Sequence, residues 1–413
     1  MGKIFYQLFL FFYPLGIKIA FNWNKKARQW IEGRKQFPSF DSTQKTIWMH
    51  CASLGEFEQG RPLLEAVRIQ YPQHKIVLSF FSPSGFEIRK NYPGADYIFY
   101  LPMDAEKNAS KLIDAINPGL VLWVKYEFWY YYLTELKKRN IPVLMVSGIF
   151  RKNQPFFKWY GKIWIEMLQS FSHFFVQNPE SATLLSTVGI KKNISISGDT
   201  RFDRVIEIAK HFKPIPIIEK FCGNSKVIVA GSTWDDDEAE LVHYVKNNPA
   251  IKFIIAPHEI DEFNLYDVKE TFTGAVFFSK ILENEALIND CHVLIIDNIG
   301  MLSKLYQYAH ITYIGGGFAE DGIHNILEAA VFGKPIIFGP EYEKFAEAVE
   351  LVEIGAAISI GSALELEKVM NELWNNEKLL EEKGALAKKY VYSKQGATKN
   401  IMAFIQENRF LIN

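Results

Sequence analysis

The chain has 413 residues, of which 48% are hydrophobic and 23% charged, which is the composition of a globular protein with room for two domains. A formal net charge of -1 argues against a general nucleic-acid binder, which would be basic overall. The three cysteines, Cys51, Cys222 and Cys291, are widely separated and indicate neither a disulfide framework nor a zinc site.

The N-terminal stretch, residues 4–21, is almost wholly apolar, with Lys18 as its only charge. No small-residue cleavage site follows it, which argues against a signal peptide. Pro14 is expected to break the run, and the roughly fourteen residues before Lys18 are few for a spanning helix. A basic cluster follows, formed by Lys25, Lys26, Arg28, Arg34 and Lys35. We therefore favour an anchor lying in the interface of an anionic cytoplasmic leaflet, with a true span and an ordinary docking helix as alternatives.

From Thr46 onward, short apolar runs alternate with helical segments, which predicts a doubly wound parallel sheet. The predicted strands of this first series are residues 47–51, 75–81, 97–100, 120–124, 142–146 and 173–176. A second series is predicted at residues 227–232, 253–256, 275–278, 293–296, 311–314 and 336–338. Residues 198–216 are interpreted as the seam between two α/β domains, and residues 364–411 as helical. We expect the ligand site in a cleft between these domains.

The glycine-rich stretch at residues 315–317 follows a predicted strand, and residues 323–332 have helical spacing. Glycines let backbone N–H groups approach a ligand closely, and a helix N-terminus can hold an anion. His324, Asn325 and Glu328 are expected on the first turns of that helix, sharing one face, where a carboxylate suits a pair of sugar hydroxyls. Glu320 stands where a dinucleotide fingerprint would have its third glycine, so that fingerprint is disfavoured. A ligand-free turn is the alternative.

Two acids, Glu56 and Glu127, each lie just past the end of a predicted strand of the first series. A carboxylate there, beside Ser53 and Gly55, can take a proton from an attacking hydroxyl. The alternatives are a first-turn Glu56 that only satisfies helix N–H groups, and a Glu127 that only pairs with Lys125.

Further candidates lie at the seam and at strand ends of the second series. Arg201 can hold a phosphate or a carboxylate, or can form a salt bridge with Asp199 or Asp203. Ser232 and Thr233 are placed to contact a nucleotide or merely to cap a helix. The run of aspartates at 235–237 is interpreted as a solvated helix start and not as a metal site. His258, after Pro257, is a ligand candidate because it follows a strand.

In combination, these segments resemble the 3-deoxy-D-manno-octulosonic acid (Kdo) transferases of lipid A assembly over nearly the whole chain. The segments that carry the resemblance, in order, are HCASLGEFEQGRPL (50–63), YLPMD (100–104), KYEFWYYYL (125–133), GDTRFDRV (198–205), AGSTWDDDE (230–238) and GIHNILEAAVFGKPIIFGP (322–340). The resemblance implies a GT-B fold of two Rossmann-like domains, with a membrane-associated N-terminal helix. It also implies an inverting transferase that moves Kdo from CMP-Kdo to a hydroxyl of a lipid A precursor, without a metal or other cofactor.

By matching position, the resemblance makes Glu56 the general base and gives Glu127 and Arg201 the stabilisation of the transition state. Ser53 and Gly55 are expected on the acceptor side. The predicted donor-binding residues are Ser232, Thr233, Pro257, His258, Ile299, Gly300, Met301, Gly316, Gly317, His324, Asn325, Ile326, Leu327 and Glu328. The chain departs from the family pattern at four positions: it has Arg201 where Lys is usual, His258 where Arg is usual, Met301 where Glu is usual and Ile323 where Gly is usual.

The predicted organisation is a membrane-associated segment (1–35), an acceptor-binding domain (36–205), a linker (206–225), a CMP-sugar-binding domain (226–390) and a last helix (391–413) that packs back on the first domain. The expected partners are CMP-Kdo, a lipid A precursor and the cytoplasmic face of the inner membrane of a Gram-negative cell, with no nucleic acid. Two alternatives remain, a GT-B lipid glycosyltransferase that uses a UDP-sugar and a non-catalytic nucleotide-sugar-binding protein at the membrane.

Overall fold

A computed structural model gives the structure of residues 2–35 and 37–411. The chain folds into two compact units, one made of the residues up to Arg204 with the segment from Gly396 onward, and the other made of Val205–Gln395. The boundary falls inside one helix, α9 (Thr200–Lys210). The domain limits given above, 36–205 and 226–390, stay predictions.

The first unit is built on a parallel sheet that, within the described residues, has seven strands in the order β3-β2-β1-β4-β5-β6-β7. The strands are β1 (Thr46–Cys51), β2 (Lys75–Phe80), β3 (Tyr97–Tyr100), β4 (Pro118–Val124), β5 (Val143–Gly148), β6 (His173–Val176) and β7 (Ile194–Ile196). The chain order reverses between β1 and β4, and the crevice at such a reversal is where open α/β sheets bind ligands.

Helices cover both faces of this sheet. Trp48 and Trp123 pack into the core on one face, and Ile47 and Met49 pack into the core on the other, so most positions of the strands are apolar. The helices are α1 (Gly2–Ala20), α2 (Lys25–Gly33), α3 (Leu54–Gln70), α4 (Pro83–Arg89), α5 (Glu106–Ile116), α6 (Tyr130–Lys138), α7 (Lys162–Leu168), α8 (Pro179–Thr187) and α19 (Ala397–Glu407), with a 3-10 helix at Pro155–Phe157.

The second unit repeats this plan. In the described part of the chain its parallel sheet also has seven strands, in the order β10-β11-β9-β8-β12-β13-β14, and the chain order reverses between β8 and β12. The strands are β8 (Val227–Thr233), β9 (Lys252–Pro257), β10 (Val276–Phe277), β11 (Val293–Ile295), β12 (Ile311–Ile314), β13 (Ile336–Phe338) and β14 (Ala357–Ser359). The helices are α10 (Pro216–Cys222), α11 (Asp235–Asn247), α12 (Glu262–Thr271), α13 (Phe278–Glu283), α14 (Leu302–Leu305), α15 (Leu327–Ala330), α16 (Ala346–Glu353), α17 (Ala363–Asn375) and α18 (Glu377–Ser393), with 3-10 helices at Glu285–Ile288 and Tyr306–Tyr308.

The N-terminal helix α1 continues through Pro14, so the expectation that this proline breaks the run is wrong. The ring removes one intrahelical hydrogen bond, and the flanking Tyr13 and Ile17 pack on the core of the first unit, which holds the turn in place. Among the described residues, α1 is the helix that is long and apolar enough to cross a membrane, and only 6% of its 18-residue apolar stretch is buried.

The predicted helix over residues 323–332 is also wrong, because only the short α15 forms there. The backbone N–H of Ile323 donates to the Glu341 carbonyl (3.1 Å) and that of His324 to the Gly315 carbonyl (3.1 Å). These long-range bonds hold both residues outside a helix, so His324 and Asn325 precede α15 instead of forming its first turn.

The last helix, α19, belongs to the first unit. Ile401 and Ile405 are fully buried in that unit's core. Asp203 caps the start of α19, because its carboxylate accepts the N–H groups of Gly396 (2.7 Å) and Thr398 (2.6 Å). The capping role of Asp203 fixes where the returning chain joins the first unit.

Candidate active site and nucleotide-binding edge

Glu56 lies in the first turn of α3, directly after β1, at the reversal of the first sheet. Its carboxylate accepts the backbone N–H of Ala52, and its side chain is buried, with the residue only 9% exposed. Burial raises the pKa of Glu56 to about 8, and the nearby charge of Glu127 adds to the rise. A buried carboxylate with such a pKa, at a strand end, suits a general base.

Glu127 follows β4, the neighbouring strand at the reversal, after a turn in which Lys125 has a φ of 56°. This left-handed conformation is uncommon for a residue with a side chain and turns the chain sharply at the strand end. The Glu127 carboxylate lies 2.8 Å from His50 Nε2 and accepts the Trp129 indole N–H at 3.0 Å. Glu127 is therefore held by two side chains.

His50 connects Glu127 to the interior of the sheet. Its Nδ1 lies 2.8 Å from the Ser79 hydroxyl, which also accepts the Trp48 indole N–H at 2.8 Å. An imidazole that donates from Nε2 to the carboxylate and accepts the Ser79 O–H at Nδ1 satisfies every one of these bonds. His50 is fully buried, so this series of hydrogen bonds from Trp48 through Ser79 and His50 fixes the orientation of Glu127.

Arg201 forms the salt bridge with Asp199 that the sequence left open. Its Nε lies 2.8 Å from Asp199 Oδ2, and its backbone N–H donates to Asp199 Oδ1 at 2.9 Å. Gln59 also donates to both carboxylate oxygens of Asp199, at 3.0 and 3.2 Å. Burial would raise the pKa of Asp199, but the charges of Arg201 and Lys125 and its hydrogen bonds outweigh it and lower that pKa.

The three predicted catalytic side chains thus share one edge of the first sheet. Tyr126 lies close to them, and burial raises the pKa of its phenol. The charges of Arg151 and Arg201 oppose that rise, and those of Asp199 and Glu56 add to it. Ser53 precedes α3 without a capping bond from its side chain, and a methyl group added at Gly55 would meet nothing within 4 Å. The surface beside Glu56 is open.

In the second unit, the glycine loop after β12 is held by Asp237. The carboxylate accepts the Gly316 N–H (2.7 Å), the Tyr313 hydroxyl (2.8 Å) and the Trp234 N–H (3.0 Å). A Cβ at Gly317 would lie 2.5 Å from the backbone nitrogen of Gly339, so close backbone packing alone requires that glycine. Ligand contacts from Gly316 and Gly317 stay predictions.

Three aromatic rings stack beside this loop. The His258 ring lies 4.2 Å from that of His324 and 4.6 Å from that of Trp234, with interplanar angles of 15° and 25°. The Trp234 indole N–H donates to His324 Nε2 at 3.0 Å, which requires the unprotonated nitrogen. Burial and the neighbouring His258 lower the pKa of His324 to about 4, and partial removal of the His258 ring from water lowers the pKa of His258.

Asn325 and Glu328 form the other polar group at this edge. Asn325 donates its amide to Glu328 Oε1 at 3.0 Å, and its own oxygen accepts the Leu327 N–H at 3.3 Å, which caps α15. The side chains of Ile326 and Leu327 are buried in the core, so only their backbone atoms are available to a ligand.

The remaining predicted donor residues lie on neighbouring strand ends of the same sheet. Ser232 has a φ of 55°, and the Thr233 hydroxyl donates to the buried Glu238 at 2.8 Å. Pro257 ends β9. Ile299 is 72% exposed, Gly300 has a φ of 95°, and Met301 Sδ accepts the Asn298 amide.

His50, Ser79 and Trp234 help to build these sites and had no role assigned from the sequence. The interpretation of residues 235–237 as a solvated helix start is wrong for Asp237, which is buried and accepts three hydrogen bonds. His50, Asp199, Trp234 and Asp237 lie inside the segments that carry the family resemblance, which was the available signal. Ser79 lies outside those segments and is recognised only by its contacts.

Comparison with known proteins supports this description. Residues 27–204 match the family model described as 3-deoxy-D-manno-octulosonic-acid transferase (kdotransferase). The transferase of that name from Haemophilus influenzae is 25% identical over 87% of this chain and 86% of its own. The transferase from Aquifex aeolicus is 27% identical over 84% of this chain and 91% of its own. A bifunctional glycosyltransferase/methyltransferase of Fusobacterium nucleatum is 25% identical over 89% of this chain, which spans 56% of that relative.

Solved structures share the fold at low identity. UDP-GlcNAc 2-epimerase from Neisseria meningitidis, bound to UDP-GlcNAc, has a TM-score of 0.60 and 16% identity over 88% of this chain and 100% of its own. MurG of Acinetobacter baumannii has a TM-score of 0.54 and 14% identity over 88% of this chain and 99% of its own. The predicted GT-B architecture is confirmed, and the chain is a glycosyltransferase of this class.

Within the class, the chain is similar to the Kdo transferases, by the family model over residues 27–204 and by curated relatives over most of its length. The resemblance drawn from the six sequence segments is therefore confirmed.

Proposed function

We propose that this enzyme transfers Kdo from CMP-Kdo to a hydroxyl of a lipid A precursor, with inversion at the anomeric carbon and Glu56 as the general base. The observation that carries the proposal is the buried Glu56 at the reversal of the first sheet, beside a second carboxylate and an open surface. Similarity to the Kdo transferases supports the choice of donor.

The proposed step needs one base and a stabilised leaving group. Glu56 takes the proton of the acceptor hydroxyl while the oxygen of that hydroxyl forms the new bond to the anomeric carbon of Kdo. The bond from that carbon to the phosphate oxygen breaks, and CMP leaves with the electron pair. Glu127, held by His50 and Trp129, supplies negative charge near the cationic character that develops on the sugar.

Arg201 supplies the complementary positive charge. Kdo carries a carboxylate and CMP carries one phosphate, and a guanidinium held in place by Asp199 suits either anion. Because Asp199 fixes the Nε side of the group, little side-chain freedom is lost when a ligand binds.

The edge of the second sheet is the proposed site for CMP. Glu328, held by Asn325, is suited to accept a pair of ribose hydroxyls. The stacked rings of Trp234, His258 and His324 supply a flat apolar wall, and the lowered pKa values of the two histidines keep them neutral at pH 7.

The helix α1 is proposed to lie in the membrane interface at the cytoplasmic face of the inner membrane. The Tyr6 hydroxyl donates to buried Asp104 at 2.6 Å and accepts the Tyr130 N–H at 3.1 Å. Asp104 also accepts the N–H groups of Tyr131 (3.0 Å) and Tyr132 (3.1 Å). A helix that crossed the bilayer would have to break this buried network, which favours the interfacial alternative over a span.

The opposite face of α1 is apolar and exposed, as the 68% exposure of both Phe5 and Phe11 illustrates. Exposed Lys25, Lys26 and Arg28 follow it and suit anionic headgroups. Arg34 is not part of that cluster, because its guanidinium stacks on Trp30 at 3.6 Å and donates to the Phe81 carbonyl at 2.8 Å.

The test is release of CMP from a CMP-Kdo supply in the presence of a tetraacylated lipid A precursor. Wild-type protein should release CMP only with both substrates present, and Glu56→Gln should lose about 10²–10⁴ in rate while still binding CMP. Glu65→Gln, on the same helix, is the matched control and should retain the rate. Turnover with a UDP-sugar in place of CMP-Kdo, or normal turnover by a folded Glu56→Gln, would contradict the proposal.

A further inference from the structure

A cavity of about 560 Å³ lies in the first unit between α1, the loop after β4, the 3-10 helix at Pro155–Phe157 and α7. Its size falls within the range of about 300–1,000 Å³ that is usual for small-molecule sites. Its lining is largely apolar and mostly aromatic, and includes Phe128, Phe156, Trp164 and Met167.

The lining of this cavity combines two kinds of residue. Tyr126 and Glu127 are the residues that follow β4 in the site described above. Phe5 and Phe9 belong to α1 and are 68% and 45% exposed. The same cavity is therefore bordered by a carboxylate of the proposed active site and by the apolar outer face of the N-terminal helix.

The lining selects the kind of ligand. A polar group placed among the rings would lose hydrogen bonds to water without replacement, whereas a hydrocarbon loses none. A ligand that also reaches Glu127 must carry a polar head at that end. An amphiphile with a sugar head and hydrocarbon tail meets both requirements, and its tail would leave the cavity beside Phe5 and Phe9.

We propose that this cavity holds one acyl chain of the lipid acceptor and thereby positions the acceptor's reacting hydroxyl at the carboxylates. The inference rests on the proposed function for the identity of the head group. Binding energy gained on the remote chain is used to orient the reacting oxygen, so the same sugar without acyl chains is a poorer substrate.

The first measurement uses binding alone. A fluorescent single-chain fatty acid, below its micelle concentration and without donor, is titrated into the full chain and its variants. Met167→Trp places a larger side chain at a buried position of the lining, and Phe5→Glu places a charge at an exposed one. Phe11→Glu is the matched control, since Phe11 lies on the same helix with the same 68% exposure but does not line the cavity.

We expect the first two variants to weaken probe binding at least tenfold and the control to bind like the wild type, since each buried methylene is worth about fourfold in affinity. Thermal melting checks that Met167→Trp is folded, and Phe5→Glu, at an exposed position, provides a test that does not disturb the core. Equal binding by wild type and a folded Met167→Trp, or equal effects of the two phenylalanine changes, would overturn the proposal.

The second measurement compares CMP release with an acylated acceptor and with the same acceptor stripped of its acyl chains. Met167→Trp should raise the KM for the acylated acceptor about tenfold and leave the KM for the deacylated acceptor unchanged. An equal rise for both acceptors would contradict an acyl-chain site. If the wild type releases no CMP with either acceptor, the proposed function fails, and the fatty-acid titration still decides what the cavity binds.

Discussion

We expect the rate of Kdo transfer at low acceptor concentration to rise about tenfold between pH 7 and a plateau above pH 9. The reason is the pKa of Glu56, which burial and the charge of Glu127 raise to about 8. At pH 7 only about one tenth of the enzyme then carries the ionised base that accepts the hydroxyl proton.

Two variants separate the causes of that pKa. Glu127→Gln removes the repulsion between the carboxylates, so the inflection should move to lower pH, although burial keeps it above the ordinary range of a glutamate. Glu56→Gln should remove the inflection and lower the plateau by about 10²–10⁴. Initial rates of CMP release from pH 6 to pH 9.5, at constant ionic strength, measure both effects.

The same carboxyl group should also affect stability, and the sign follows from its raised pKa. Below its ordinary pKa of 4.5 the group is neutral in both the folded and unfolded states. Between 4.5 and about 8 the unfolded chain ionises more readily, so the folded state loses stability as the pH rises through this window. Glu56→Gln should therefore melt at a higher temperature than wild type at pH 9 and at a similar one near pH 4.

A flat pH–rate profile, or an inflection that Glu56→Gln leaves in place, would refute the assignment of the base. Glu65→Gln serves as the control for general changes in charge. A melting temperature of Glu56→Gln that falls below the wild type at pH 9 would show that the ionised carboxylate stabilises the fold, contrary to its raised pKa.

Three other outcomes are expected. Glu328→Ala should weaken CMP binding by about 1.5–3 kcal/mol, because ribose hydroxyls lose a charged acceptor, and calorimetry would show an unchanged Kd if the contact lies elsewhere. Asp237→Ala should destabilise the second unit by on the order of 3 kcal/mol in urea, since three donors lose their acceptor, and an unaltered midpoint would argue against the clamp. Tyr6→Phe should release α1 and speed proteolysis between α1 and α2, and cleavage at the wild-type rate would mean that packing alone holds the helix.

The parallel strands were the most predictable part of the fold. A strand buried on both faces is apolar at most positions, as β8 and β12 are, and such runs are visible in the sequence. The weak edge strands β7 and β14 are three residues each, with partly exposed side chains, and left no comparable signal.

The helix predicted at residues 323–332 failed for a different reason. The apolar spacing is present, but bonds from Ile323 to Glu341 and from His324 to Gly315 compete with the helix. Such bonds depend on which strands lie side by side, and periodicity within a short window does not contain that information. Pro14 illustrates the converse, since packing on a core kept a helix intact that local propensity would end.

The positions of the candidate catalytic acids could be predicted, but their surroundings could not. Glu56 and Glu127 follow strand ends, and the carboxyl ends of parallel strands meet at one edge. The link from His50 to Ser79 joins residues 29 positions apart, and only the pairing of β1 with β2 brings them together. The raised pKa of Glu56 arises from that folded environment as a whole.

The acids of the two units differ in a way that supports separate roles for them. In the second unit, Asp237 and Glu238 are buried, and their oxygens accept hydrogen bonds from a loop amide and a hydroxyl, so they stabilise the proposed binding edge. In the first unit, Glu56 and Glu127 lie close enough for the charge of one to raise the pKa of the other. Repulsion between two adjacent carboxylates disfavours their charged forms, and clustered groups with perturbed pKa values are typical of catalytic centres. On this basis we propose that the first unit carries out the proton transfer and that the second recognises the nucleotide.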